Sequence, residues 1–290
     1  MRVLLIFIVL LTLNSPAVAG NWNTSSGSAT ATASNGSGFS KFRKHGSGWK
    51  KHNYQVLTDE TKARAGKKYQ RFELQAGDCF PKSDWNDCKT NRARVEFSAA
   101  GRPRQKPIGQ QCYGFSLMLD KTFPDVYPTT TMLGQVKPYG NVPVGKAYGF
   151  KSFPQIVSIK ANRKKLQFQF EWLYGEIDNF KTRPIRKNIA DIADMLDVWT
   201  DISFCLDFAN NNLEAWVNGV SKAKIDKSPV TWAPDSIYFK YGIYNSLVDG
   251  YKKRWDKEIP TQIVFYDEIR RGTKVTDVDV NLNPALRPLD

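Results

Sequence analysis

The sequence predicts an all-β protein, a sandwich or jelly roll of two antiparallel sheets. Short apolar or alternating runs recur from about residue 50 onward, and Pro, Gly, Asn and Asp punctuate them. No helical pattern alternates with these runs, which argues against a parallel α/β sheet. No internal repeat or compositional break interrupts them, so residues 49–290 are expected to form one domain.

The expected strands are 69–74, 93–97, 114–119, 131–136, 155–159, 166–172, 201–208, 213–217, 237–244 and 262–269. β-branched and aromatic residues suit them to a pleated, half-buried surface. Asn210-Asn211-Asn212 and Asn218-Gly219 mark the turns that follow 201–208 and 213–217. Residues 186–195 are the one stretch expected to hold a short helix.

Residues 1–19 read as an export leader: Arg2 is the positive start, 3–13 the apolar run, and Ala17-Val18-Ala19 the small-residue cleavage site. The run is too short for a comfortable membrane span, and no later segment is apolar enough to cross a bilayer. Residues 20–48 are rich in Ser, Gly, Asn and Thr, turn basic from Lys41, and show no apolar periodicity, so a disordered linker is expected. The mature protein is therefore expected to be secreted or periplasmic.

The formal net charge is +14, and removal of Arg2 with the leader leaves +13. Such an excess favours a polyanionic partner. In an exported protein that partner is expected to be an acidic polysaccharide rather than nucleic acid. The plainer alternative is a basic surface that keeps the protein soluble.

Of the four cysteines, Cys79 and Cys88 flank a turn-rich loop and are expected to form a local disulfide, worth about 2–3 kcal/mol. Cys112 and Cys205 lie in apolar runs and either pair across the sheets or stay as buried thiols. The absence of a CxxC pair argues against structural zinc. The only histidines, His45 and His52, sit in or beside the basic N-terminal stretch and are expected at the surface. A Ser-His-Asp or Cys-His triad is therefore not expected, and no Gly-rich phosphate loop is present.

Three strands carry polar side chains at i, i+2 spacing, which places each set on one face. In 238–245, Tyr238, Lys240, Gly242 and Tyr244 share a face, with Phe239, Tyr241, Ile243 and Asn245 opposite. The glycine is expected to leave room for a close approach to the backbone. In 92–97, Arg92, Arg94 and Glu96 oppose Ala93, Val95 and Phe97. In 133–137, Gln135 and Lys137 are expected to point one way with Leu133, and Val136 the other way. Each set alone suits a solvated face; together they suit one concave, cationic, phenol-bearing sheet.

Glu176-Ile-Asp178 has the start of a paired-carboxylate glycosidase motif. The position for the second glutamate holds Phe180 or Lys181, so the motif fails.

These residues resemble the jelly-roll polysaccharide lyases: the alginate-lyase family and the related glucuronan-lyase and heparin-lyase-I-like families. The matching stretches are Arg94-Val-Glu96-Phe-Ser98, Gln135-Val-Lys137 and Tyr238-Phe-Lys-Tyr-Gly-Ile-Tyr244. Arg71-Phe-Glu73-Leu, Gly77-Asp-Cys79, Trp85-Asn-Asp-Cys88, Trp199-Thr-Asp201 and Trp216-Val-Asn218-Gly219 extend the likeness over residues 50–275. The resemblance implies a concanavalin-like β-jelly roll and cleavage of a uronate polymer by β-elimination. It departs from the family pattern at Ser98, where an arginine is usual, and at Lys137, where a histidine is usual.

Such chemistry needs a neutralised C6 carboxylate, a base for the C5 proton and an acid for the departing O4. The resemblance implies Arg94 and Gln135 at the carboxylate and Tyr244 as the acid, with a possible second role as base. Nearby Lys240, Lys137 and Arg94 are expected to lower the phenol's pKa. Lys137 either binds the carboxylate or, if burial depresses its pKa, acts as the base. Lys240, Glu96, Arg92 and Tyr238 are the expected substrate-binding residues. No cofactor is expected, a structural calcium ion is left open, and a monomer is expected. The alternatives are a lectin-like binder that uses the same groove without catalysis, or a basic adhesion protein acting through its linker.

Overall fold

The structure is a computed structural model that describes residues 43–44, 48–81, 86–98, 104–139, 154–176 and 179–289. The expected leader, most of the expected linker, His45 and part of the Glu176-Ile-Asp178 stretch lie outside these residues.

Two seven-stranded antiparallel sheets face each other. The first sheet is ordered β1 (Arg43–Lys44), β4 (Arg92–Ser98), β13 (Ser236–Ser246), β6 (Thr131–Tyr139), β7 (Val157–Asn162), β8 (Lys165–Glu176) and β9 (Asn179–Asp191). The second is ordered β12 (Val220–Ile225), β11 (Asn212–Val217), β10 (Thr200–Asp207), β5 (Gln110–Leu119), β14 (Gln262–Gly272), β3 (Lys68–Leu74) and β2 (Tyr54–Thr58). The chain passes from sheet to sheet at β1–β2, β3–β4, β4–β5, β5–β6, β9–β10, β12–β13 and β13–β14, so strands distant in sequence become neighbours. This is the jelly-roll sandwich expected. β1 falls inside the expected linker and pairs with Phe97 and Ser98 at the sheet edge.

Period-two alternation supplies the core. Ala93, Val95 and Phe97 of β4, Phe239, Tyr241 and Ile243 of β13, and Val157, Ile159 and Ala161 of β7 all turn inward. They meet Phe72, Tyr113, Phe115, Phe204 and Tyr266 of the second sheet. Phe72 packs edge-on to Phe97, Tyr241 and Tyr266, a geometry suited to the ring quadrupoles.

Residues 186–195 are not a helix. Most of that stretch lies in β9, which pairs with β8 from Glu176↔Asn179 to Lys165↔Asp191. The apolar spacing of three in Ile189, Ile192 and Met195 that imitates a helix arises because the strand runs into a 3₁₀ turn, Ile192–Met195. Pro184 is tolerated because β9 is an edge strand. The one α-helix among the described residues, α1 (Asp249–Trp255), has no buried residue and so no apolar stripe to announce it. It carries Asp249 in its first turn and Lys252, Lys253 and Arg254 toward its end, matching the helix dipole.

Both Asn-rich turns form as expected: Asn211, Asn218 and Gly219 adopt positive φ at the β10–β11 and β11–β12 connections. Cys79 and Cys88 are bonded, with Cα atoms 5.1 Å apart. Cys112 and Cys205 are bonded too, but within one sheet rather than across the two, because they are register partners on β5 and β10.

Two local features differ from simple alternation. On β6 the register shifts between Met132 and Gly134, so Leu133 turns into the core with Val136 instead of sharing a face with Gln135. Gly242 has φ +123°, and an added Cβ would lie 2.3 Å from Val95 O and 2.9 Å from Glu96 Cα. What approaches this glycine is the neighbouring strand, not a ligand. The pairing of β13 with β6 is irregular at the same level, between Tyr241 and Tyr244. Tyr266 of the second sheet reaches across, and its one hydroxyl proton is shared between Leu133 O at 2.6 Å and Gly242 O at 3.0 Å. One buried phenol therefore ties down both irregular strands.

Candidate active site

The core-distal faces of β4, β13 and β6 bring the expected site residues together. Register places Tyr244 beside Arg94 and Gly242 beside Glu96 on one side. On the other side, Tyr238 pairs with Lys137 and Lys240 with Gln135. Although these side chains point away from the core, Lys240 and Glu96 are each only 1 % exposed. The centre of the face is covered by its own side chains rather than open to solvent.

Glu96 is the hub. It accepts from Gln135 Nε2 at 2.5 Å, from Lys240 Nζ at 2.5 Å and from Arg94 Nη1 at 3.3 Å. Arg94 also grips Asp87 through Nε at 2.8 Å and Nη2 at 3.1 Å. Asp87 is fully buried in a 3₁₀ turn beside Cys88. The Cys79–Cys88 bridge closes the loop that presents it, and Asp87 N donates to Phe80 O. Asp87 was not among the expected site residues. Its signal was present in the Trp85-Asn-Asp-Cys88 stretch, but nothing local says that the carboxylate turns toward Arg94.

Arg94 and Gln135 are thus committed in part to protein carboxylates. Arg94 keeps N–H groups that these two carboxylates do not use. Its guanidinium carbon sits 4.2 Å from the centroid of the Tyr244 ring. Arg92 donates from Nε to the Tyr244 hydroxyl at 3.0 Å and from Nη1 to Thr90 O at 2.8 Å.

The Tyr244 pKa lies above the ordinary phenol value, not below it as the nearby cations suggest. Burial raises it, and Arg94 and Arg92 offset only part of the effect. The Tyr244 phenol therefore keeps its proton at neutral pH. Lys137 moves the other way: burial, aided by Arg94 and Arg92 and opposed by Glu96, pushes it down to about 8. Lys137 is half-buried and makes no ion pair among the described residues. Burial, aided by Arg94 and Lys137 and opposed by Glu96, pushes Lys240 down to about 7. Burial pushes Tyr238 up to about 12. Arg92 and Arg94 face the two carboxylates of Glu96 and Asp87, and Lys137 and Lys240 add positive charge to this face to the extent that they are protonated.

His52 lies apart from this network, half-buried, with Nε2 2.9 Å from Asp78 Oδ2. Among the described residues no cluster of His, Cys, Asp and Glu could hold a metal ion, and no helix is long and apolar enough to cross a membrane.

Solved structures share the architecture. An endo-β-1,4-glucuronan lyase from the fungus Trichoderma reesei superposes with a TM-score of 0.58 at 16 % identity, covering 80 % of this chain and 92 % of that one. A family 7 alginate lyase, A1-II′, in complex with product gives 0.51 at 12 % identity, over 78 % and 85 % of the two chains. A GH131 β-glucanase catalytic domain from Podospora anserina also gives 0.51, at 14 % identity over 85 % and 90 %. A sequence search of curated proteins returned no match. At these identities the likeness establishes the fold alone, a jelly-roll sandwich.

The sequence profile described as polysaccharide lyase matches residues 28–270. The chain belongs to the polysaccharide lyase family. Membership sets aside the binding-only and adhesion alternatives in favour of an enzyme.

Proposed function

We propose that this lyase is an exported enzyme that cleaves an acidic, uronate-containing polysaccharide by β-elimination at the β4–β13–β6 face. The observation that carries the reading is the opposite displacement of two groups on the same sheet face, Lys137 on β6 and Tyr244 on β13. Lys137 is a half-buried amine whose pKa falls to about 8, and Tyr244 is a phenol held in its protonated form. Both lie within electrostatic reach of Arg92, Arg94 and Glu96. Two groups whose environments drive them apart in this way suit a base and an acid.

In this reading the uronate C6 carboxylate meets this face, where Arg94, Gln135 and Arg92 stabilise the charge that spreads onto it as C5 is deprotonated. Neutral Lys137 takes the C5 proton. The C5–H electron pair becomes the C4–C5 double bond, the C4–O4 bond breaks, and Tyr244 donates its proton to O4. Lys240, Gln135 and Glu96 form a rigid cluster beneath, and Tyr238 lies beside Lys137. Export is supported by the leader-like 1–19 stretch and by two disulfides, which persist in oxidising compartments.

The test is a panel of acidic polysaccharides scored for new near-ultraviolet absorbance from the conjugated product. A polyuronate that yields unsaturated ends supports the reading. Binding without unsaturated product on any member of the panel overturns it.

A further inference from the structure

The same face continues beyond these strands, across β7, β8 and β9. On β7, Ser158 and Lys160 alternate with the core residues Val157, Ile159 and Ala161 and so share the face of Gln135. On β8, Gln169 and Glu171 alternate with Phe168 and Phe170 in the same way. Register aligns Lys240, Gln135, Ser158, Gln169 and Arg186 as one row across five strands. Neighbouring strands lie about 4.8 Å apart, so each step along this row approaches the length of one pyranose.

Three features of that extension point to a ligand. Ser158 is 0 % exposed and its Oγ has no hydrogen-bond partner among the described residues, which is costly for a buried hydroxyl. Lys160 is half-buried, makes no ion pair among the described residues, and is pushed down to about 8 by burial. Glu171 opposes that shift and Arg186 adds to it. Arg186 donates from Nε to Gln169 Oε1 at 3.0 Å, and Gln169 donates from Nε2 to Glu171 Oε2 at 2.9 Å. The two cations outnumber the one carboxylate, and that carboxylate is already held by an amide.

We propose that Ser158, Lys160, Gln169 and Arg186 form a second carboxylate subsite, which takes the uronate adjacent to the one that reacts. The assignment rests on the lyase reading above and deepens it. A subsite one strand away from Gln135 suits a polymer that carries a carboxylate on consecutive sugars. A chain in which uronates alternate with neutral sugars leaves Lys160 facing a neutral residue. Glu171 accepts from sugar hydroxyls beside the bound carboxylate.

The test uses the full-length enzyme, with Lys160→Met and Ser158→Ala as variants. Their kinetics are compared on a homopolymeric uronan and on a polymer alternating uronate with a neutral N-acetylated sugar. Lys160→Met is expected to raise KM on the homopolymer about 10-fold with kcat within about twofold, and to leave the alternating polymer unaffected. Ser158→Ala is expected to shift KM in the same direction by less. Direct binding of the homopolymer to Tyr244→Phe and to Tyr244→Phe/Lys160→Met supplies a readout independent of turnover, with about 10-fold weaker binding expected in the double variant. Equal affinity in these two variants overturns the subsite, as does an equal Lys160→Met effect on both polymers. Loss of binding on Lys160→Met together with no unsaturated product from wild type keeps the subsite and overturns the lyase reading of the substrate.

Discussion

Arg92 donates from Nε to the hydroxyl oxygen of Tyr244 at 3.0 Å, across a strand pair whose register sets Ser246 opposite Arg92 and Arg94 opposite Tyr244. The arginine reaches diagonally along the sheet to hold the phenol oxygen as an acceptor, which leaves its proton directed elsewhere. A donor kept oriented without losing its proton is what an acid on this face requires.

Tyr244→Phe keeps the ring and its contact with Arg94 but removes the proton. Turnover is expected to fall at least ~10²-fold, with polymer affinity retained and stability changed by about 1 kcal/mol. Steady-state rates and a binding isotherm on the same preparation check this. A wild-type rate from the phenylalanine variant contradicts the assignment.

Lys137 separates base from binder through the sign of its pH dependence. As a base it must be neutral, so kcat/KM should rise with pH through about 8. The fall expected from ionisation of Tyr244 lies above the ordinary phenol range, because that pKa is raised. As a carboxylate binder Lys137 must be charged, and activity would instead fall through the same pH. Lys137→Arg keeps charge in either case, since arginine does not deprotonate; it is expected to lose ~10²-fold or more in kcat. A pH–rate profile of both proteins decides.

Opening the Cys79–Cys88 bridge should reach the site through Asp87. The Cys79→Ser/Cys88→Ser variant is expected to lose about 2–3 kcal/mol of stability. Beyond that, it should show a raised KM, because Arg94 loses the carboxylate that orients its guanidinium. Asp87→Asn should reproduce the kinetic change with the disulfide intact. A melt and a Michaelis curve for each variant separate the two effects, and unchanged kinetics in Asp87→Asn would remove Asp87 from the site.

Gly242→Ala should cost about 3 kcal/mol or more. The new Cβ meets the backbone of β4, which cannot swing aside like a side chain, and φ +123° disfavours any L side chain. Chemical denaturation measures the loss.

Much of the fold was legible because strand alternation and turn chemistry are local. Phe239, Tyr241 and Ile243 turn inward as their spacing dictates, and Asn211 and Asn218 make their turns. The site residues of β4, β13 and β6 could be grouped in advance by face. Their partners could not. That Arg94 is shared between Asp87 and Glu96, or that Tyr244 is raised rather than lowered in pKa, depends on burial and on contacts between strands distant in sequence. Leu133 was misassigned because a register shift in the middle of β6 breaks the period-two rule there. The 186–195 stretch was misread because an edge strand running into a 3₁₀ turn imitates helical spacing.

The reach of Tyr266 from one sheet to the carbonyls of Leu133 and Gly242 in the other carries a lesson for anyone remodelling this enzyme. The irregular strands that aim Gln135 and Tyr244 are anchored from behind, by a side chain no sugar touches. A library confined to the site would vary what the strands display while leaving untouched what aims them. Substitutions at Tyr266 and its neighbours on β14 should instead rotate the whole display, changing which sugar stereochemistry meets the acid and the base in line.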